Sequence, residues 1–108
     1  MQMLSLAEVA ERLGVGPTGV RGLVASGAVL ALPGPGGQAV LPAEQFDGAQ
    51  PVKHLSGVLT LLRDARYTDE EALRWLTTPD ETLPGTPLQA LHENRATEVK
   101  RRAQALAF

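Results

Sequence analysis

No cysteine occurs in the 108 residues, which excludes disulfide staples, thiolate metal sites and thiol nucleophiles and is compatible with a reducing compartment. Aromatic residues are almost as scarce. Phe46, Tyr67, Trp75 and Phe108 are the only four, so leucine, valine and alanine have to fill the interior. No apolar run approaches the roughly 20 residues of a membrane span. The N-terminus lacks a charged lead, an apolar stretch and a small-residue cleavage site. These absences predict a cytoplasmic chain, complete as written, with no membrane partner. Basic residues are few in the first half: residues 1–50 carry Arg12 and Arg21 against Glu8, Glu11, Glu44 and Asp47, while the remainder is balanced and the whole chain carries −2. Lys and Arg supply the non-specific attraction to phosphates, so this half has little of it. His54 and His92 have no second histidine or carboxylate at ligand spacing, and no metal site is expected. There is no serine elbow and no Gly-x-x-x-x-Gly-Lys-Ser/Thr loop, so no catalytic residue, cofactor or enzymatic activity is expected either.

What is present begins at Ser5. Ser5 and Glu8 form an S-x-x-E capping box, which predicts a helix from about Leu6. Leu6, Val9, Ala10 and Leu13 share one face at i, i+3, i+4, i+7, and Gly14 supplies the stop. Val15 is expected as a hydrophobic plug in the turn. Pro17 suits a first helical position, and a second helix over residues 17–26 turns Val20, Leu23 and Val24 inward. Thr18, Gly19, Arg21, Gly22 and Ala25 then face outward, and Gly27 closes the helix. Two helices joined in this way form a helix-turn-helix, whose second helix enters the DNA major groove with its N-terminal residues nearest the base edges.

Two apolar runs follow, Val29 to Leu32 and Ala39 to Leu41, around Pro33-Gly-Pro-Gly-Gly-Gln38, and they read as a β-hairpin wing. Residues 47–51 read as a connector. Beyond it Leu55, Val58, Leu59 and Leu62 mark a helix with Ser56 as its N-cap. Thr68 to Glu71 is a second capping box, opening a helix that buries Ala72, Trp75 and Leu76. Residues 77–85 are a Pro- and Gly-punctuated loop anchored by Leu83. Thr86, Pro87 and Gln89 start a short helix to about Glu93, and Val99, Ala103 and Leu106 line a last one that carries Lys100, Arg101 and Arg102.

The fold class is therefore mainly α with a small β-hairpin wing: a winged helix-turn-helix over residues 1–50, followed by a helical domain over residues 54–108. The run L-x-x-V-A-E-x-L-G-V from Leu6, the run V-R-x-L-V-x-S-G from Val20 and the hairpin resemble excisionase and MerR-type winged-helix DNA-binding domains over residues 3 to about 50. The second half carries W-L-x-x-P-D-x-x-L from Trp75, P-x-x-A-L from Pro87 and E-V-x-R-R-A-Q-A from Glu98. It looks like the C-terminal domain of a small family of bacterial winged-helix DNA-binding regulators. A looser likeness is to the C-terminal domain of toxin-antitoxin antitoxins. Both resemblances imply that this part serves protein contacts.

The resemblance implies a sequence-specific DNA-binding transcriptional regulator whose partners are double-stranded DNA and a second copy of itself. Arg21 is the first candidate for a base contact, since a bidentate arginine on guanine is worth ~1–3 kcal/mol of discrimination; the alternative is a solvated arginine. Thr18 and the Gly16 and Gly19 amides lie at a helix N-terminus that favours phosphate, though capping alone would explain them. Gly22 permits close approach, and Gln38 is the one side chain at the wing tip able to reach DNA. Arg12 and Lys53 are expected as auxiliary phosphate contacts. Trp75, Leu76 and Leu83 are candidates for dimer or partner contacts, with core packing as the plainer reading. For Lys100 to Arg102 a solvated helix face is the expectation. The competing function is an antitoxin-like adaptor that binds a partner protein through its C-terminal domain.

Overall fold

Ser5, Thr68 and Thr86 each start a helix in the computed structural model, which describes residues 1–107. Each hydroxyl accepts from the amide three residues on, at 3.1–3.2 Å. The side chains of Glu8, Glu71 and Gln89 accept in return from the backbone N–H groups of Ser5, Thr68 and Thr86 at 2.9–3.0 Å. In order the elements are β1 (Met3–Ser5), α1 (Leu6–Leu13), α2 (Pro17–Ala25), β2 (Leu32–Pro33), β3 (Ala39–Pro42), β4 (Phe46–Asp47), β5 (Gln50–Pro51), α3 (Leu55–Asp64), α4 (Asp69–Thr77), α5 (Pro87–His92) and α6 (Ala96–Ala105). The chain divides into two units, the first Met1–Pro51 and the second beginning at Val52. No described helix is long and apolar enough to cross a membrane.

In the first unit α1 and α2 turn their apolar faces onto a small antiparallel sheet of order β1-β3-β2. Val9, Ala10, Val20, Val29, Leu41 and Phe46 are its buried core, with Leu6, Leu13, Leu23 and Val24 packed against them. β1 was not legible as a strand, yet it pairs Leu4 with Leu41 and Ser5 with Val40. Ser5 thus ends a strand and caps a helix at the same residue. Gly14 ends α1 in the left-handed region at φ 70, with its N–H on the Ala10 and Glu11 carbonyls.

Several expectations need correction here. Val15 does not plug the turn: it is 44% exposed, and its side chain lies where a Cβ on Gly19 would meet it at 3.2 Å. The hairpin is shorter than the apolar run, because only Leu32 and Pro33 pair with β3, at Val40 and Ala39. Val29 and Leu30 are buried without being strand. The Leu30 backbone is satisfied instead by the Gln45 side chain, which accepts from its N–H at 2.7 Å and donates to its carbonyl at 2.9 Å. Residues 47–51 are no simple connector either, since β4 and β5 pair there.

The second unit holds α3 to α6 around Leu55, Val58, Leu59, Leu62, Leu76, Leu83, Leu91 and Val99. α3 is not capped by Ser56. His54 takes the left-handed region at φ 70, and the helix starts at Leu55. Arg63 ties α3 to α4 through Asp69 at 3.2 Å. The irregular stretch after α4 is held by guanidinium groups: Arg95 donates to the Leu83 carbonyl at 2.9 Å, and Arg102 to the Thr82 hydroxyl and carbonyl at 2.8 and 3.0 Å.

Gln45 is the one described buried polar side chain, at 1% exposed, and its removal leaves two buried backbone groups of Leu30 unpaired. Gln45→Leu is expected to cost about 2–5 kcal/mol in chemical denaturation. Gln45→Glu keeps the acceptor but buries a charge and loses the donor, so its deficit relative to the unsubstituted protein should shrink as pH falls and the carboxyl protonates. Hydrogen bonds from the Ser5 backbone and hydroxyl hold Glu8 below its ordinary 4.5, the Thr68 backbone and hydroxyl do the same for Glu71, and the Thr82 hydroxyl and backbone lower Asp80. The stability these groups confer is whole above their unfolded values and is lost as pH falls below about 4.5. A melting series through that range should show the loss, and the triple variant Glu8→Gln, Glu71→Gln, Asp80→Asn should flatten it.

Candidate nucleic-acid interface

The burial of Val20 at 0% exposure fixes the rotation of α2 about its axis. With that residue inside, Thr18, Arg21, Gly22 and Ala25 form an exposed stripe at i, i+3, i+4, i+7 on the opposite side. Gly16 and Gly19 are exposed as well. The helix starts bare: Gly16 is extended and gives no side-chain cap, and Pro17 contributes no N–H. Gly19 and Val20 both donate to the Gly16 carbonyl, at 2.9 and 3.3 Å, which leaves the Thr18 amide without a capping side chain.

Arg21 and Gln38 meet at one hollow. It measures about 530 Å³ and is lined by Ser5, Leu6 and Ala7 at the start of α1, Pro17 and Arg21 of α2, and Gln38 and Ala39 at the entry to β3. Two of the residues singled out from sequence thus share a cleft between the outer helix and the hairpin. The contribution of residues 5–7 was not legible, because the capping box marked Ser5 only as a helix start.

The hairpin tip is shaped by a glycine at which any larger residue would displace its neighbours. The Gly34 N–H donates to the Gln38 carbonyl at 2.7 Å, and a Cβ there would lie 2.6 Å from a Val40 methyl and 2.8 Å from that carbonyl. The two helix glycines differ from each other. Gly19 clears Val15 and so has an internal reason to be small, whereas the space around Gly22 is open to 4 Å.

Arg12 is committed elsewhere. Its Nε donates to the Gly48 carbonyl at 2.9 Å and its guanidinium stacks over the Phe46 ring at 5.8 Å, so it fastens the β4–β5 turn to α1. Lys53 is exposed in the second unit. Leu76 and Leu83 are both 0% exposed and present no surface to a partner; of the three expected contact residues only Trp75 reaches solvent. Nor are Lys100 to Arg102 a plain solvated face. Lys100 lies 3.3 Å from the His54 Nδ1 and Arg102 holds Thr82, so only Arg101 of the three is fully outside.

Residues 52–107 match the family described as the Rv2175c C-terminal domain of unknown function. The DNA-binding protein Rv2175c of Mycobacterium tuberculosis is 41% identical, over 95% of this chain and 79% of that protein. The NMR structure of Rv2175c superposes with a TM-score of 0.87 at 38% identity, covering 99% of this chain and 82% of the other.

The two kinds of glycine make a stability test. Gly22→Ala should raise the unfolding free energy by about 0.5–1 kcal/mol through helix propensity alone. Gly34→Ala should lower it by about 1–3 kcal/mol, because backbone and a β-branched side chain must move aside. Denaturant titration of the two variants checks both signs.

Proposed function

The chain belongs to the Rv2175c family, and from that premise we propose that it binds double-stranded DNA in a sequence-specific manner as a transcriptional regulator. The first unit acts as a winged helix-turn-helix in this reading. α2 lies in the major groove, Arg21 contacts a base edge, Thr18 and the Gly16 and Gly19 amides meet a phosphate, and Gln38 reaches DNA from the wing. The observation that carries the proposal is the pairing of Arg21 with Gln38 at one exposed cleft, beside a glycine whose surroundings are open. A relative named for DNA binding, matched along almost the whole chain, supports it.

Electrostatics sets the expected character of that binding. Residues 1–51 hold two basic side chains against four acidic ones, and Arg12 is already engaged. Affinity must therefore come from shape and base contacts more than from counterion release, with a slope of log K on log salt of roughly −2 to −3 for two or three phosphates per copy. Two copies on half-sites about 34–36 Å apart would double the contacts, and the second unit is the proposed place for self-association or for a partner protein. The same acidic balance favours the second reading, an antitoxin-like adaptor that reads DNA weakly.

A polarisation titration against a random-sequence duplex pool and its selected winners, at several salt concentrations, separates the two. The regulator predicts selectable sequences whose affinity falls about 5- to 100-fold in Arg21→Ala. Gly22→Ala should also weaken that binding despite its gain in stability. If no duplex is selected at low salt, or if Arg21→Ala binds as well as the unsubstituted protein, the adaptor replaces the regulator.

A further inference from the structure

Among the described aromatics Phe46 is buried, whereas Tyr67 and Trp75 stay half-exposed in the second unit and line one hollow of about 320 Å³ together with Glu71, Arg74 and Thr78. Trp75 and Thr78 also line a second hollow of about 390 Å³, walled by Pro79, Pro87, Asp80 and Glu81. The indole is therefore shared by two depressions, together with Thr78. In a chain with a single tryptophan and an aliphatic core, that side chain is placed at the surface between prolines and a tyrosine. Half-exposed tryptophan and tyrosine are the side chains that dominate binding energy where partners meet.

We propose that this double hollow docks an extended, proline-containing peptide of another protein, with an arginine or lysine beside the prolines. An extended proline helix presents its rings on successive turns about 9 Å apart, needs no internal hydrogen bonds, and seats those rings against aromatic walls. Two hollows that share Trp75 offer such a peptide an aromatic wall flanked by Tyr67 on one side and by Pro79 and Pro87 on the other. The rim supplies the charge requirement. Glu71, Asp80 and Glu81 stand against Arg74, with Arg102 3.8 Å from Asp80 as its partner. The Thr68 N–H donates to the Glu71 carboxylate, and the Thr82 N–H and hydroxyl donate to that of Asp80, which favours the ionised form of both.

A second copy of this chain is the poorer occupant. A two-fold contact would bring Glu71 and Glu81 toward their own equivalents, and like charges placed face to face cost affinity. The inference does not rest on DNA binding, which concerns the other unit, and a failure of either leaves the other standing.

The test is selection of displayed random peptides on the full chain, followed by titration of synthetic winners with Trp75, the sole tryptophan, as the fluorescent reporter. The expected winners carry prolines next to arginine or lysine and shift the Trp75 emission saturably. Glu81→Lys, at an exposed position, should weaken them about tenfold or more with no change in melting temperature. Trp75→Phe should weaken them as well, read by polarisation of a labelled peptide. The proposal is overturned if no peptide is enriched, if the winners are acidic or free of proline, or if Glu81→Lys binds them unchanged. It is equally overturned if sedimentation shows a dimer of the unsubstituted protein that Glu81→Lys dissolves, because the surface then belongs to a second copy.

Discussion

A single side-chain amide sets the geometry of the first unit. Between α2 and the hairpin the chain runs through Val29 and Leu30, which are buried but make no strand, so the Leu30 N–H and carbonyl have no ladder to join. Gln45, fifteen residues later, supplies both partners in one planar group. An amide suits the task because it offers a donor and an acceptor at fixed spacing with no charge to desolvate. The clamp joins the exit of α2 to the segment just after β3. The cleft shared by Arg21 and Gln38 lies between α2, the start of α1 and the entry to β3, so two of its three walls belong to elements joined by a residue that lines none of it.

The sequence revealed the helices more readily than the sheet. Local signals are complete within a few residues, and the boxes at Ser5, Thr68 and Thr86 are observed as read. The inward faces of α1 and α2 follow from a period of 3.6 that needs no knowledge of the rest of the chain. β1, β4 and β5 are two or three residues long, too short for any alternation to register, and they exist because distant segments meet. The same limit hid the Gln45 clamp. An isolated glutamine has no local mark of burial, and its partner lies fifteen positions upstream. His54 is a further case: a non-glycine residue in the left-handed region displaces the helix start that Ser56 suggests.

The exposed face of α2 was legible because Val20, Leu23 and Val24 leave only one way for the remaining side chains to point. What the sequence could not separate was the meaning of its glycines. Gly19 answers to Val15, and Gly22 answers to nothing inside the protein. The basic residues divide in a similar way. Arg12, Arg63, Arg95 and Arg102 each hold a carbonyl or a carboxylate of this chain, a use of arginine that a charge count records as surface potential. In the first unit only Arg21 is left outside such a bond, so under the proposed DNA-binding reading selectivity would depend on contact geometry rather than on attraction at a distance.

Ser5 belongs at once to the ladder with Val40 and to the first turn of α1. A three-residue strand would ordinarily slide along its neighbour with little resistance. Here a slip of one position would turn Leu4 out of the core and would either drag α1 off its packing or withdraw the hydroxyl from the Glu8 amide. Two unrelated penalties thus guard a single alignment, and the shortest element of the sheet becomes one of its least ambiguous.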